Sequence, residues 1–171
     1  MPEISNSAEL TAAALALEGA TAAALLRDGD GRDVLVIACD GFTTGPQVRR
    51  SVRDAGVRPP DRIVLVPSDG NGWEDAQSLL HDPTATVYDF VPPATERERE
   101  VCRVWQDVLR FAEVGVEDDL LDLGGDSLLG IEIAMRLEEH FGLELDLDAV
   151  FEAGTVRGVA ALVERGSGST R

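Results

Sequence analysis

The chain of 171 residues contains no lysine, and all 15 of its basic residues are arginine. Chemistry that needs a lysine, as a Schiff base or as an ammonium point charge, is therefore excluded within it. Cysteine is nearly as scarce: Cys39 and Cys102 stand far apart, with no CxxC and no Cys/His cluster. Both thiols are expected to be reduced and packed, and no metal site of that ligand type is expected. Long apolar runs are missing too, since none approaches the ~20 residues of a membrane span. The start MPEISNSAEL lacks a basic n-region, so a cytoplasmic location is expected, and Met1 favours a complete chain over an excised piece. Positive charge is in deficit: 32 acidic against 15 basic residues leave a net charge of -17. Nucleic acid and anionic membranes would be repelled by such a surface. Two readings of the acidity remain open, a basic protein partner and plain solubility.

What is present suffices for a core, at 44% hydrophobic residues, and for one domain or two small ones. Ser5 or Ser7 can cap a first helix that runs to about Leu17 and ends at Gly19. TAAALLRD (Thr21–Asp28) and DVLVIACD (Asp33–Asp40) read as a hairpin across the turn Gly29-Asp30-Gly31. Gly41 and Gly45-Pro46 mark a loop, and Pro46 suits the first turn of a helix closed by Gly56, with Val48, Val52 and Ala55 on one face. Arg62–Val66 reads as a further buried strand, about Trp73 to Leu80 as a short helix, and Thr86–Phe90 as a last strand. The order helix, strand, strand, helix, strand describes an α+β layer.

Composition changes at VPPATERERE, Val91 to Glu100, where Pro92-Pro93 and a charged run suggest a domain boundary. The expected division is 1–91, 92–165 and a frayed tail over 166–171. Thr95 can cap a helix reaching Leu109 or Arg110, with Val101, Val104, Trp105 and Val108 on one face. The remainder reads as helical: Ser127–Phe141, a short turn near Asp148–Phe151, and Thr155–Val163 with Thr155 as its cap.

The stretch LLDLGGDSLLGIEIAMRL, Leu120 to Leu137, stands out. Asp126 and Ser127 are both good N-cap residues, since their oxygens accept from backbone N–H groups that a starting helix leaves unpaired. Ser127 is thus expected at the mouth of a helix with its hydroxyl exposed, where the macrodipole favours an anionic substituent such as a phosphodiester. Projected at 100° per residue, Ile133, Ala134, Leu137 and Phe141 share one side of that helix. Leu128, Ile131 and Met135 share nearly the opposite one, flanked by Glu132 and Glu139. The second stripe is either another core face or an exposed docking patch beside Ser127.

LGGDSLLGIEIAMRLEEHFGLELDLDAVFEAGTVRGVAALV resembles the carrier protein (thiolation) domains of nonribosomal peptide synthetases, over about Thr95 to Glu164. GGDS is more typical of peptidyl carriers than of polyketide acyl carriers. The resemblance implies a four-helix bundle with Ser127 as the attachment point for phosphopantetheine. A separate phosphopantetheinyl transferase would transfer the group from coenzyme A, and its thiol would hold an aminoacyl or acyl group as a thioester. It also implies that Asp126 helps orient the transferase complex or its metal, and that Leu128, Ile131 and Met135 contact partners. A hydrolase serine is disfavoured, because His140 lies over three turns down the same helix and His81 in the other domain.

The N-terminal half resembles, more faintly, the small C-terminal subdomain of synthetase adenylation domains. There the chain ends in PxxxNGKxD; here it reads PSDGNGWED, Pro67 to Asp75, with Trp73 where that family has lysine. The indole N–H is a single donor without charge, so it cannot contact carboxylate and phosphate as lysine does. This half is therefore expected to be a degenerate adenylation-type subdomain, with Trp73 as a docking anchor if exposed, or as a core residue if not. The overall reading is an α+β subdomain followed by an all-α carrier, monomeric, without its own catalysis or metal. An adenylating enzyme would load it in trans, and a condensing or tailoring enzyme would unload it. Rival readings are a piece of a larger synthetase, a half that completes a truncated adenylating partner, and a polyketide-type carrier. With no lysine, ATP–pyrophosphate exchange by the chain alone should stay at background across the amino acids; exchange above background would show adenylation that this composition excludes.

Overall fold

In the computed structural model, residues 7–40, 43–68 and 73–168 are described. Ser5, Gly41 and the Asn71-Gly72 dipeptide of the sequence reading lie outside them. The chain divides into two compact units between Asp89 and Phe90.

The first unit holds α1 (Ser7–Leu15), β1 (Ala20–Arg27), β2 (Asp33–Cys39), α2 (Gly45–Asp54), β3 (Arg62–Pro67), a 3₁₀ helix (Trp73–His81) and β4 (Thr86–Asp89). The expected hairpin is present: β1 pairs antiparallel with β2 from Arg27 opposite Asp33. β2 pairs parallel with β3, and β4 closes the order β1-β2-β3-β4 antiparallel to β3. Strand side chains alternate between two faces, and on β2 and β3 both are covered, which accounts for their unbroken apolar runs. Leu35, Ile37, Ile63 and Leu65 pack with Leu10, Ala14, Val48 and Val52 of the two helices. Val34, Val36, Val64 and Val66 form a second core with Leu79, against which Trp73 is half-buried.

Three details differ from the sequence expectation. α1 ends at Leu15, before the turn that leads into Gly19 at φ +80. Ala55, expected on the apolar face of α2, lies past its last residue and is exposed. The segment from Trp73 forms a 3₁₀ rather than an α-helix and extends to His81.

The second unit is built of α3 (Glu96–Leu109), α4 (Ser127–Phe141), α5 (Leu147–Ala153) and α6 (Val156–Gly168). Phe90 and Val91 belong to it: the Val91 carbonyl accepts from Val116 N–H at 2.8 Å, and Val91 packs on the helical core. Residues 166–168, expected in the tail, continue α6. Trp105 is 1% exposed at the centre of that core, among Val101, Ile133, Leu137, Val156 and Val159. α3 starts with a reciprocal cap, Thr95 Oγ1 accepting from Glu98 N–H at 3.1 Å and Glu98 Oε2 from Thr95 N–H at 3.0 Å.

The long connection between α3 and α4 has no regular structure, yet hydrogen bonds tie it to the start of α6. Arg157 N–H donates to the Val116 carbonyl at 3.0 Å, and Leu120 N–H to the Gly154 carbonyl at 2.9 Å. Asp119 and Thr155 form an isolated antiparallel bridge. The Arg157 guanidinium reaches Glu98 at 3.1 Å and also pairs with Glu117. Gly154 adopts φ +63, and a Cβ there would lie 2.9 Å from an Asp119 carboxylate oxygen, so the join requires glycine.

The N–H of Thr95 above all, then that of Ala94 and the Arg157 guanidinium, holds the Glu98 carboxyl below its usual value of 4.5. A depressed carboxyl stabilises the fold above its unfolded pKa, and that contribution disappears as pH falls through the folded value. Glu98→Gln should therefore cost about 2 kcal/mol at pH 7, the scale of a buried charge-assisted hydrogen bond. The deficit should shrink below pH 4 as the wild-type carboxyl itself protonates. Urea unfolding of both proteins across that pH range checks this.

Candidate functional site at the start of α4

Asp126 caps α4, with extended backbone at φ -130 and its Oδ1 accepting from Leu129 N–H at 2.9 Å. Ser127 is consequently the first residue of the helix rather than its cap, and it is exposed. This refines the sequence reading, where both residues were cap candidates. The division of labour leaves the Ser127 hydroxyl without a hydrogen bond among the described residues. The Asp126 carbonyl is already engaged by Gly130 N–H at 2.9 Å. The Ser127 and Leu128 N–H groups, two of the donors that every helix start leaves over, have no acceptor among the described residues.

The approach to Ser127 is held as firmly as its own turn. Gly125 N–H donates to the Leu120 carbonyl at 2.8 Å, and Leu123 N–H to the Asp119 carbonyl at 3.1 Å. Leu121 N–H is accepted by Asp119 Oδ1 at 2.8 Å, and Gly115 N–H by Asp118 Oδ2 at 2.7 Å. Burial, together with the charges of Asp119 and Asp118, raises the Asp122 carboxyl above its usual value.

The helix behind Ser127 buries one stripe and exposes the other. Ile133, Ala134 and Leu137 lie in the core, with Phe141 half-buried at their end. Leu128 at 73%, Met135 at 63% and Ile131 at 37% stand in solvent. The open question of a second core face is thereby resolved in favour of exposure. Arg136 pairs with Glu132 at 2.6 Å beside this patch. Leu121, Leu147 and Phe151 add exposed apolar surface that the helical projection did not reveal, because they lie on the loop and on α5.

The histidine that shares α4 with Ser127 lies too far away to act as its base. His140, thirteen residues on, faces Glu100 of α3 at 3.4 Å and stacks edge-on to Phe141. At 1.5 Å per residue it lies about 20 Å along α4. Among the described residues no cluster of His, Cys, Asp and Glu could hold a metal ion, and no helix is long and apolar enough to cross a membrane. Cys39 and Cys102 are both free thiols. Cys102 is buried on α3, and burial, with Glu98 and Asp118 nearby, pushes its thiol up to about 12. Trp73 is half-buried in the first unit.

An exposed serine oxygen on the first residue of a fifteen-residue helix, with two spare N–H donors beside it, suits a phosphodiester. The fit to phosphopantetheine thus rests on the hydroxyl's exposure and on the donors, not on a pocket. Comparison with known proteins points to the same cofactor. Residues 99–163 match the family model described as "Phosphopantetheine attachment site". The chain is 38% identical over 104 residues to surfactin synthase subunit 2 of Bacillus subtilis (strain 168), covering 60% of the chain and 3% of that protein. It is 30% identical over 149 residues to chondramide synthase cmdD of Chondromyces crocatus, covering 81% and 4%. A type-II acyl-carrier protein of Streptomyces verticillus involved in bleomycin biosynthesis is 33% identical, over 40% of this chain and 83% of that one, at a TM-score of 0.39. The chain thus spans only a few per cent of the length of the curated relatives it matches.

The cap analysis yields a clean pair of variants. Asp126→Asn keeps an acceptor for Leu129 N–H and should leave stability within a few tenths of a kcal/mol, whereas Asp126→Ala should cost about 1 kcal/mol. Thermal unfolding of the two variants distinguishes cap from charge. A second expectation concerns thiols: at pH 8 Cys102 should resist iodoacetamide in the native protein and react once it is denatured, as peptide mapping would show.

Through residues 99–163 the chain belongs to the phosphopantetheine-attachment family, as a peptidyl carrier (thiolation) domain of the nonribosomal peptide synthetase type with a small α+β unit ahead of it.

Proposed function

We propose that Ser127 is the residue that carries phosphopantetheine, and that the chain is loaded in trans by a separate adenylating enzyme. The observation that carries this reading is the exposed, unpartnered Ser127 hydroxyl at the first position of α4, held there by the Asp126 cap. When attached, phosphopantetheine supplies a thiol on which an aminoacyl or acyl group is held as a thioester. The chain's own contribution is to present one oxygen to a phosphopantetheinyl transferase. The spare N–H groups of Ser127 and Leu128 favour the resulting phosphodiester anion. Catalysis is left to other enzymes, since a carrier domain has no reaction of its own.

Leu128, Ile131 and Met135 serve as the surface that partners cover, and the acidic residues around them complement basic rims. Asp126 both caps the helix and presents its second carboxylate oxygen toward the transferase. The downstream partner is a condensing or tailoring enzyme, and the carrier acts as a monomer in the cytoplasm. The α+β unit is a degenerate adenylation-type subdomain, unable to activate a substrate because Trp73 replaces the lysine of that family. Trp73 is more a core residue of this unit than a docking anchor, given its packing beside Val34, Val64 and Leu79.

A second reading has a specific observation in its favour. The match to chondramide synthase takes in 81% of the chain, more than residues 90–171 supply, so it extends well into the α+β unit. That continuity favours descent of both units together from an adenylation–thiolation module, of which this chain would be a segment or a reduced version.

Incubation of the purified chain with coenzyme A and a broad-specificity transferase should add one phosphopantetheinyl group by intact mass. Ser127→Ala should remain unmodified while keeping the wild-type melting temperature within about 2 °C, since the hydroxyl makes no internal bond. A group that still appears on the alanine variant would place the attachment elsewhere.

A further inference from the structure

Gly130 lies one turn past Ser127 on α4, and Phe151 of α5 packs against it. A Cβ at Gly130 would stand 2.5 Å from two ring carbons of Phe151, Cε1 and Cζ, and 3.3 Å from Leu120 Cδ2. The Phe151 ring therefore occupies the space that any side chain at position 130 would fill. Side chains three apart on a helix have Cβ atoms about 5–6 Å apart, so the ring edge lies within about 8 Å of the Ser127 Cβ. At 37% exposure the ring offers a flank to solvent. An enzyme that engages the Ser127 oxygen therefore has this partly exposed residue within reach.

We propose that Gly130 is a positioning residue for arm transfer: by leaving a gap one turn from Ser127, it seats the Phe151 ring where the phosphopantetheinyl transferase contacts it. This deepens the function proposed above and rests on Ser127 being the acceptor. Neither residue touches the transferring group, so neither is catalytic. The exposed stripe of α4 cannot substitute for this contact. Leu128, Ile131 and Met135 project from the far side of Ser127, about 40–100° around the helix, whereas Gly130 lies about 60° the other way. The transferase thus meets apolar surface on both sides of the serine, one side from α4 and the other from α5.

An alanine at 130 need not unfold the bundle. The atoms it would strike are the far end of a side chain that already borders solvent, and the ring can swing outward. The seat would be lost while the core of Ile133, Ala134 and Leu137 stays intact. Leucine at 151 lacks the far ring carbons that an added methyl would meet, so it should relieve the clash and keep an apolar contact.

The test measures initial rates of phosphopantetheinyl transfer from coenzyme A by intact mass, with carrier concentration varied. Gly130→Ala should raise KM for the carrier about tenfold with kcat within twofold, as expected for loss of one well-seated contact made equally in the ground and transition states. Phe151→Leu should stay near wild type, and Gly130→Ala combined with Phe151→Leu should return KM to the Phe151→Leu value. A Gly130→Ala variant with unchanged KM, or a double variant no better than it, would overturn the inference. Should Gly130→Ala fail to fold, Phe151→Ala empties the seat without altering α4; a raised KM then supports the inference and an unchanged KM overturns it. Wild-type chain that accepts no group at all would instead overturn the assignment of Ser127.

Discussion

The carrier unit depends on a seam of hydrogen bonds between the loop before α4 and the first turn of α6. Glu98, Arg157 and Glu117 form a charged chain there, with the Glu98 carboxylate nearly buried and also capping α3. Asp119 and Thr155 bridge as a minimal two-stranded ladder, and Leu120 and Gly154 share a backbone bond beside them. Without this seam the connection from Phe111 to Asp126 would be a long irregular loop, the kind of segment that costs most entropy to order. With it, α3, α6 and the approach to Ser127 share one rigid origin. An acid that protonates Glu98 therefore loosens the cap of α3 and the support of the loop together.

The same seam explains how an exposed serine can be placed accurately. The Ser127 side chain makes no hydrogen bond among the described residues, so its position is inherited from its neighbours. Asp126 sets the entry angle of the helix, Gly125 binds back to Leu120, and Leu120 and Leu123 anchor the turn in the core. The Ser127 hydroxyl is left free while Asp126 and Gly125 before it are engaged. This arrangement is compatible with the proposed role of Ser127 and differs from that of a hydrolase, whose serine would be tied to a base.

The two units illustrate opposite uses of sequence. In the α+β unit almost every strand residue of β2 and β3 is buried on one face or the other. In the carrier unit the helices bury only one stripe each, and α4 spends its remaining apolar residues on the surface beside Ser127. Apolar surface gathered in this way is costly to leave exposed, which supports the proposal that a partner covers it.

Much of this was readable from residues alone, because the signals are local. The hairpin across Gly29-Asp30-Gly31, the Thr95 cap and the bounds of α4 all follow from short-range geometry. So did the two stripes of α4, since helical periodicity places side chains without reference to anything outside the helix. Whether the second stripe was buried could not be read, because burial depends on which helices pack where; the structure leaves Leu128, Ile131 and Met135 exposed. The choice of Asp126 over Ser127 as cap likewise needed the turn geometry. Only the tertiary structure brought Phe151 onto Gly130 and Arg157 onto Glu98 and Glu117, pairs separated by 21 to 59 positions. Contacts of that range are set by how helices cross, and no local pattern in the chain encodes the crossing.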